Sequence, residues 1–135
     1  MTANHQGACL CGAVRFEIVG EFESFYLCHC SRCRKDTGSA HAANLFSTSA
    51  KLEWLAGRDH VKTFRLDGTR HQKSFCEACG SALPGAQMNG ALLVVPAGCL
   101  DTTVSISPTA HICCSDQADW EARLAGAERF DGLPG

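Results

Sequence analysis

The chain has 135 residues, a formal net charge of -2 and 10 cysteines, and the cysteine count is its largest departure from ordinary composition. That length suits one domain over residues 1–135 and leaves little room for two. The mild acidity argues against a generic nucleic-acid binder, whose basic surface would show as an excess of lysine and arginine, so no nucleic-acid partner is expected.

In chain order, Met1-Thr2-Ala3-Asn4-His5-Gln6 has neither the positive region nor the apolar run of a signal peptide. Ala13-Val14-Arg15-Phe16-Glu17-Ile18-Val19 alternates apolar and polar residues, as a half-buried strand does. A short apolar run over 24–27 ends at a cysteine cluster. Residues 31–36, closed by Gly38, can hold a turn or two of helix. Further strands are expected over 41–46, 52–55, 61–66 and 71–75, with Asp67-Gly68 as a tight hairpin turn between the last two. Residues 91–96 read as a buried strand, 110–114 as another, and 118–124 as a second short helix. The chain is therefore expected to be mainly β, built from short strands with few or no long helices. The longest strongly apolar stretch, 91–97, falls far short of the roughly 20 residues that span a bilayer. No membrane partner is expected, and the expected location is cytoplasmic.

In a reducing compartment, many cysteines mean metal ligands or reactive thiols more often than disulfides. Leaving cysteine out lowers the hydrophobic share from 45% to about 38%, a thin core that calls for another stabiliser. Seven cysteines form three tight groups: Cys9-Leu10-Cys11-Gly12, Cys28-His29-Cys30-Ser31-Arg32-Cys33-Arg34, and Phe75-Cys76-Glu77-Ala78-Cys79-Gly80. The last has the local chemistry of a zinc knuckle, with Gly80 supplying the positive φ that closes the turn. Its natural partners are Cys9 and Cys11, which face one side of an extended segment. Cys9, Cys11, Cys76 and Cys79 are thus expected to hold one structural zinc. A thioredoxin-like redox pair at Cys76 and Cys79 is disfavoured, because no βαβ pattern surrounds it.

Cys28, Cys30 and Cys33 can bind a second metal, giving two zinc ions per chain. Three protein ligands and an open position mark a catalytic zinc, but His29, His41, Cys99, Cys113 or Cys114 could instead close the site, and spacing alone leaves both readings open. His29 alternates with Cys28 and Cys30 and is expected to point away from that metal. Three thiolates leave zinc a formal charge of -1, which suits accepting an external thiol better than generating hydroxide. Arg32, Arg34 and Lys35 lie beside the cluster and can attract an anion. His5, His60 and His71 read as surface or strand-edge residues, and Trp54, Trp120 and the phenylalanines as core.

These motifs resemble the glutathione-dependent formaldehyde-activating enzymes and their relatives, which include centromere protein V. The resemblance runs from Cys9 to Pro134. Beyond the cysteine groups it includes Thr37-Gly38, Leu100-Asp101, Pro108 with His111-Ile112, Trp120, and Arg129-Phe130-Asp131-Gly132-Leu133-Pro134. It implies a zinc-stapled β-tent of short antiparallel sheets. It also implies the same division of ligands, with Cys28, Cys30 and Cys33 as an open active-site zinc. The implied activity is that of a carbon–sulfur lyase, the reversible addition of glutathione's thiol to formaldehyde, giving S-hydroxymethylglutathione. In this reading zinc binds the incoming thiol and presents the thiolate to a small aldehyde, while Arg34, Lys35 or His41 anchors carboxylates or moves a proton. The alternative is a non-catalytic zinc-stapled binding module for a protein or small thiol. A redox role for Cys113 and Cys114 is disfavoured, since adjacent cysteines form only a strained disulfide. Cys99 has no assigned role, and the oligomeric state is not fixed by these features.

Overall fold

Strands too short to build one large sheet are distributed over three small ones, seen in a computed structural model that describes residues 3–135. The first sheet joins β1 (Asn4–Ala8), β2 (Arg15–Val19) and β5 (Lys51–Ala56), in that order and antiparallel throughout. The second contains β3 (Ser24–Cys28), β4 (Ala42–Ser47), β9 (Gly85–Gln87), β10 (Leu92–Pro96) and β11 (Ala110–Ile112), in the order β11-β3-β4-β10-β9. The third is the hairpin of β6 (Val61–Arg65) and β7 (Gln72–Cys76), extended by β8 (Ala82–Leu83). The expected mainly β chain of short antiparallel sheets is what forms, with one addition: β11 lies parallel to β3, pairing Ile112 with Cys28.

Alternation governs the first sheet. In β2, Phe16 and Ile18 are wholly buried while Arg15 is exposed. With Val14, Leu45, Leu83, Leu93, Val95, Cys9 and Cys76 they make the main core cluster. Two of its nine members are cysteines of the candidate metal groups, so core and metal corner share atoms. Trp54 packs on the edge of this cluster, its ring meeting that of Phe16 edge-on at 6.0 Å.

The one α-helix among the described residues, α1 (Ser31–Thr37), starts where Cys30 caps it and stops at Gly38, whose φ of 67° lets its N–H reach Arg34 O at 2.8 Å. Several expectations need correction. The strand β1 was hidden by its polar residues, yet it buries alternate positions, including His5 at 7% exposure. His5 is thus inside, against the Phe22 ring. The short β8 and β9 carry no run long enough to announce a strand. The second helix is instead a 3₁₀ segment, Glu121–Gly126. β11 stops at Ile112, because Cys113 turns to a φ of 58°. Trp120, Phe64 and Phe130 are 41%, 50% and 54% exposed rather than core.

Candidate metal centres

The sulfurs of Cys9, Cys11, Cys76 and Cys79 all lie within 4.8 Å of one another. Two turns bring them there. In the link from β1 to β2 the Gly12 N–H donates to Cys9 O at 3.1 Å, and after β7 the Gly80 N–H donates to Cys76 O at 2.7 Å. Both closing residues need positive φ, 82° at Gly12 and 76° at Gly80, which glycine adopts without strain. The extended backbone expected at residues 9–11 is therefore corrected to a turn, and that reversal sets the Cys9 and Cys11 sulfurs 3.6 Å apart. The Val14 N–H donates to Cys9 Sγ at 3.2 Å, and the Leu10 N–H donates to Ser81 Oγ at 3.0 Å, lacing one turn to the other.

Four thiolates this close repel, so without a cation their protonation splits. Hydrogen bonds from Ser81, side chain first and then backbone, hold Cys79 down at about 5. Cys11, although helped by the Ala13 backbone N–H, faces the Cys9 sulfur and is pushed up to about 11. A divalent cation would let all four ionise together, and four sulfurs are a closed zinc donor set. The residues present fit zinc.

The second group is assembled locally. Cys28 ends β3, Cys30 caps α1, and Cys33 sits buried in its first turn, with the three sulfurs within 4.8 Å of one another. The Cys33 N–H donates to Cys30 Sγ at 3.4 Å. Burial opposes ionisation of Cys30, but that N–H and the neighbouring thiols hold it below its ordinary value. Cys28 and Cys33 are pushed up, in both cases mainly by burial. This donor set also fits zinc once a cation offsets the repulsion. Cys113 follows directly on Ile112, the partner of Cys28 in the β11–β3 register, and is exposed.

Cys33 also lines a cleft of about 210 Å³ between α1, β4 and the β6–β7 hairpin, together with Asn44, Arg70, Gln72 and Lys73. Asp36 clamps its walls together, 2.8 Å from Lys73 Nζ and 2.8 Å from His71 Nε2. An open depression beside it is lined by Arg32, Arg65 and Arg70 around the Asp67-Gly68 turn.

A family model described as glutathione-dependent formaldehyde-activating enzyme (GFA) matches residues 4–116. The chain belongs to the GFA family. A Halomonas elongata protein, provisionally named as such an enzyme, is 32% identical over 122 residues, covering 85% of this chain and 78% of its own. An uncharacterized lyase of Schizosaccharomyces pombe is 27% identical over 116 residues, covering 85% of this chain and 82% of its own. A crystal structure of a Rhodobacter sphaeroides protein superimposes with a TM-score of 0.57 at 22% identity, covering 78% of this chain and 98% of that one, a likeness of fold.

Within this GFA-family chain, the non-cysteine residues singled out beforehand are scattered. Lys35 is exposed on α1, whereas Arg34 turns inward and its Nε is buried with no partner among the described residues. His41 is grouped with His29 and Glu121 rather than with the cysteines. Cys99 stands apart, its thiol pushed up to about 12 by burial. Arg65, Arg70 and Lys73 escaped notice in the sequence, although Arg70-His71-Gln72-Lys73 follows the turn signal directly. Only the folding of that hairpin against α1 brings Arg70 and Lys73 to the cleft that Cys33 lines, and Arg65 to the depression beside it. Among the described residues, no helix is long and apolar enough to cross a membrane.

Proposed function

We propose that the chain is a zinc-dependent carbon–sulfur lyase of the glutathione-dependent formaldehyde-activating type, one domain over residues 1–135, acting in the cytoplasm. The observation that carries this reading is the convergence of the Cys28, Cys30 and Cys33 sulfurs beside a cleft that Cys33 itself lines. Family membership supports a small thiol such as glutathione and a small aldehyde as substrates. The lyase name of the Schizosaccharomyces pombe relative agrees with this class.

In this reading Cys9, Cys11, Cys76 and Cys79 hold a structural zinc, and Cys28, Cys30 and Cys33 hold a second. Bound there, zinc supplies a Lewis acid that favours the thiolate of an incoming thiol. Addition then joins the substrate sulfur to the aldehyde carbon as the carbonyl π bond opens, and the thiol's proton ends on the former carbonyl oxygen. Arg32, Arg65 and Arg70 give the approach a positive field and hold glutathione's carboxylates. Lys35 adds to that field, while Arg34 is the nearby group available to hold an oxygen; His41, grouped with His29 and Glu121, takes no part in this step. The Asp36 clamp keeps the hairpin and α1 at fixed spacing, so the thiol and aldehyde meet in one geometry.

The test is exchange spectroscopy by NMR on ¹³C-formaldehyde with glutathione, with metal analysis on the same samples. Acceleration above the spontaneous reaction, abolished in Cys30→Ser together with one zinc per chain, is the expected result. Unchanged zinc content in that variant would sink the reading. A second reading rests on the β11–β3 register, which sets Ile112 opposite Cys28 and so carries Cys113 to the edge of this group. With Cys113 as fourth ligand the site is closed, and the chain is a binding module. X-ray absorption at the zinc edge, with and without glutathione, separates the two by whether a sulfur is added on ligand binding.

A further inference from the structure

We propose that His29, His41 and Glu121 form a third cation site, which takes a divalent transition-metal ion of the zinc class and fastens the carboxy-terminal segment to the five-stranded sheet. The three come from separate places: His29 between β3 and α1, His41 just before β4, and Glu121 at the start of the Glu121–Gly126 turn. Each offers one ligand atom within 4.8 Å of the others.

The hydrogen-bond accounting is what points to a ligand. Among the described residues, His29 Nδ1, His41 Nδ1 and Glu121 Oε2 are all buried without a hydrogen-bond partner. Such groups cost on the order of 1–3 kcal/mol each when left unpaired, more when charged. The approach of His29 Nδ1 to Glu121 Oε1, 3.7 Å, is too long for a hydrogen bond. Among the described residues, no lysine or arginine forms an ion pair with Glu121. The other ring nitrogen of His29 is engaged, with Nε2 2.8 Å from His111 Nδ1. A hydrogen bond at the far ring nitrogen fixes the orientation of a metal-binding histidine, and His111 is placed to provide it here. His29 itself is only 1% exposed.

The carboxy-terminal segment supplies a separate reason. From Cys113 onward every residue is exposed except Ala118 and Glu121. Trp120, Leu124 and Phe130 stay 41%, 46% and 54% exposed. A segment that leaves three large hydrophobic side chains in water yet turns a carboxylate oxygen inward has the reverse of the ordinary order, which makes sense where that oxygen meets a cation. Two imidazole nitrogens and one carboxylate oxygen are a zinc donor set and a poor match for calcium or magnesium, which favour oxygen alone. His29 gathers with His41 and Glu121 and not with Cys28, Cys30 and Cys33, so this ion is separate from the one assigned to the cysteines.

The test uses the full chain loaded with zinc or cobalt and dialysed. Metal analysis is expected to give three ions per chain, falling to two in His41→Ala and in the near-isosteric Glu121→Gln. With cobalt, the third equivalent should add weak visible bands without near-ultraviolet sulfur-to-cobalt charge transfer. Those charge-transfer bands report the cysteine sites independently, so failure there is distinguishable from failure here. Cleavage after Arg123 or Arg129 by trypsin should slow at least tenfold when the third equivalent binds, and this protection should vanish in Glu121→Gln. Cobalt bound to the unaltered protein only at sulfur sites, or no ion lost in either variant, would overturn the proposal.

Discussion

The two cysteine groups differ in how they are built. The four-cysteine corner joins residues from distant parts of the chain, and two of its members, Cys9 and Cys76, are part of the hydrophobic core at 5% and 0% exposure. The three-cysteine group is complete within six consecutive positions, lies between a strand end and a helix start, and opens onto a cleft. The first is built into the core, whereas the second hangs on a strand end and a helix cap outside it. Proximity of thiols is common to both, so it is the surroundings that separate a staple from a place where chemistry can occur.

The hardest way to break this contrast is Cys76→Ser. Removing a buried ligand of the proposed structural zinc should cost about 5 kcal/mol or more, comparable with the whole stability of a domain, so the chain should fail to fold cooperatively in a thermal melt followed by circular dichroism. Leu45→Ala makes a cavity in the same core without touching a sulfur. It should cost about 3 kcal/mol while zinc content stays unchanged, and metal loss would show that core and corner cannot be separated. Cys30→Ser is the matching change in the other group. Serine is itself a good helix cap, so the melting temperature should barely move, while turnover falls at least about 100-fold, equivalent to about 2.7 kcal/mol. Arg70→Ala should raise KM for glutathione about tenfold, near 1.4 kcal/mol, with kcat little changed, which would locate substrate binding at the hairpin rather than at the sulfurs.

The smallest effect lies away from both groups. Glu23 accepts hydrogen bonds from the side chain and backbone of Thr48, which hold its carboxyl below the ordinary value of 4.5. A depressed carboxyl contributes stability above that ordinary value and loses it as pH falls through the lower folded value. Glu23→Gln should therefore cost under about 1 kcal/mol at neutral pH, with the difference closing in acid below pH 4.5. Urea unfolding at pH 7 and pH 3 measures it, and a gap that widens in acid would contradict the assignment.

What could be read beforehand was local. Alternation at Arg15-Phe16-Glu17-Ile18, the Asp67-Gly68 turn, and helix α1 between its cysteine cap and Gly38 each carry their own signal in neighbouring residues. The grouping of cysteines was legible because spacing within each group is short. The turn at Cys9-Leu10-Cys11-Gly12 was misread as extended, since both geometries bring residues i and i+2 to one side. Strand β1 was missed because its inward positions are His5 and Gly7, neither of which advertises burial. The arginine-lined depression and the meeting of Glu121 with His29 depend on contacts between elements far apart in sequence, for which no local pattern exists.

The spacing of the two cysteine groups also sets an order of events during synthesis. Cys28, Cys30 and Cys33 leave the ribosome almost together, so they can capture an ion before most of the chain exists. The corner must wait for Cys76 and Cys79, and closing the roughly 65-residue loop from Cys11 costs about 4 kcal/mol of chain entropy. A nascent chain short of zinc would thus fill its local trio first and arrive at full length with the corner empty. Zinc supply would then be felt first in the yield of folded protein, and only afterwards in the activity of each folded molecule.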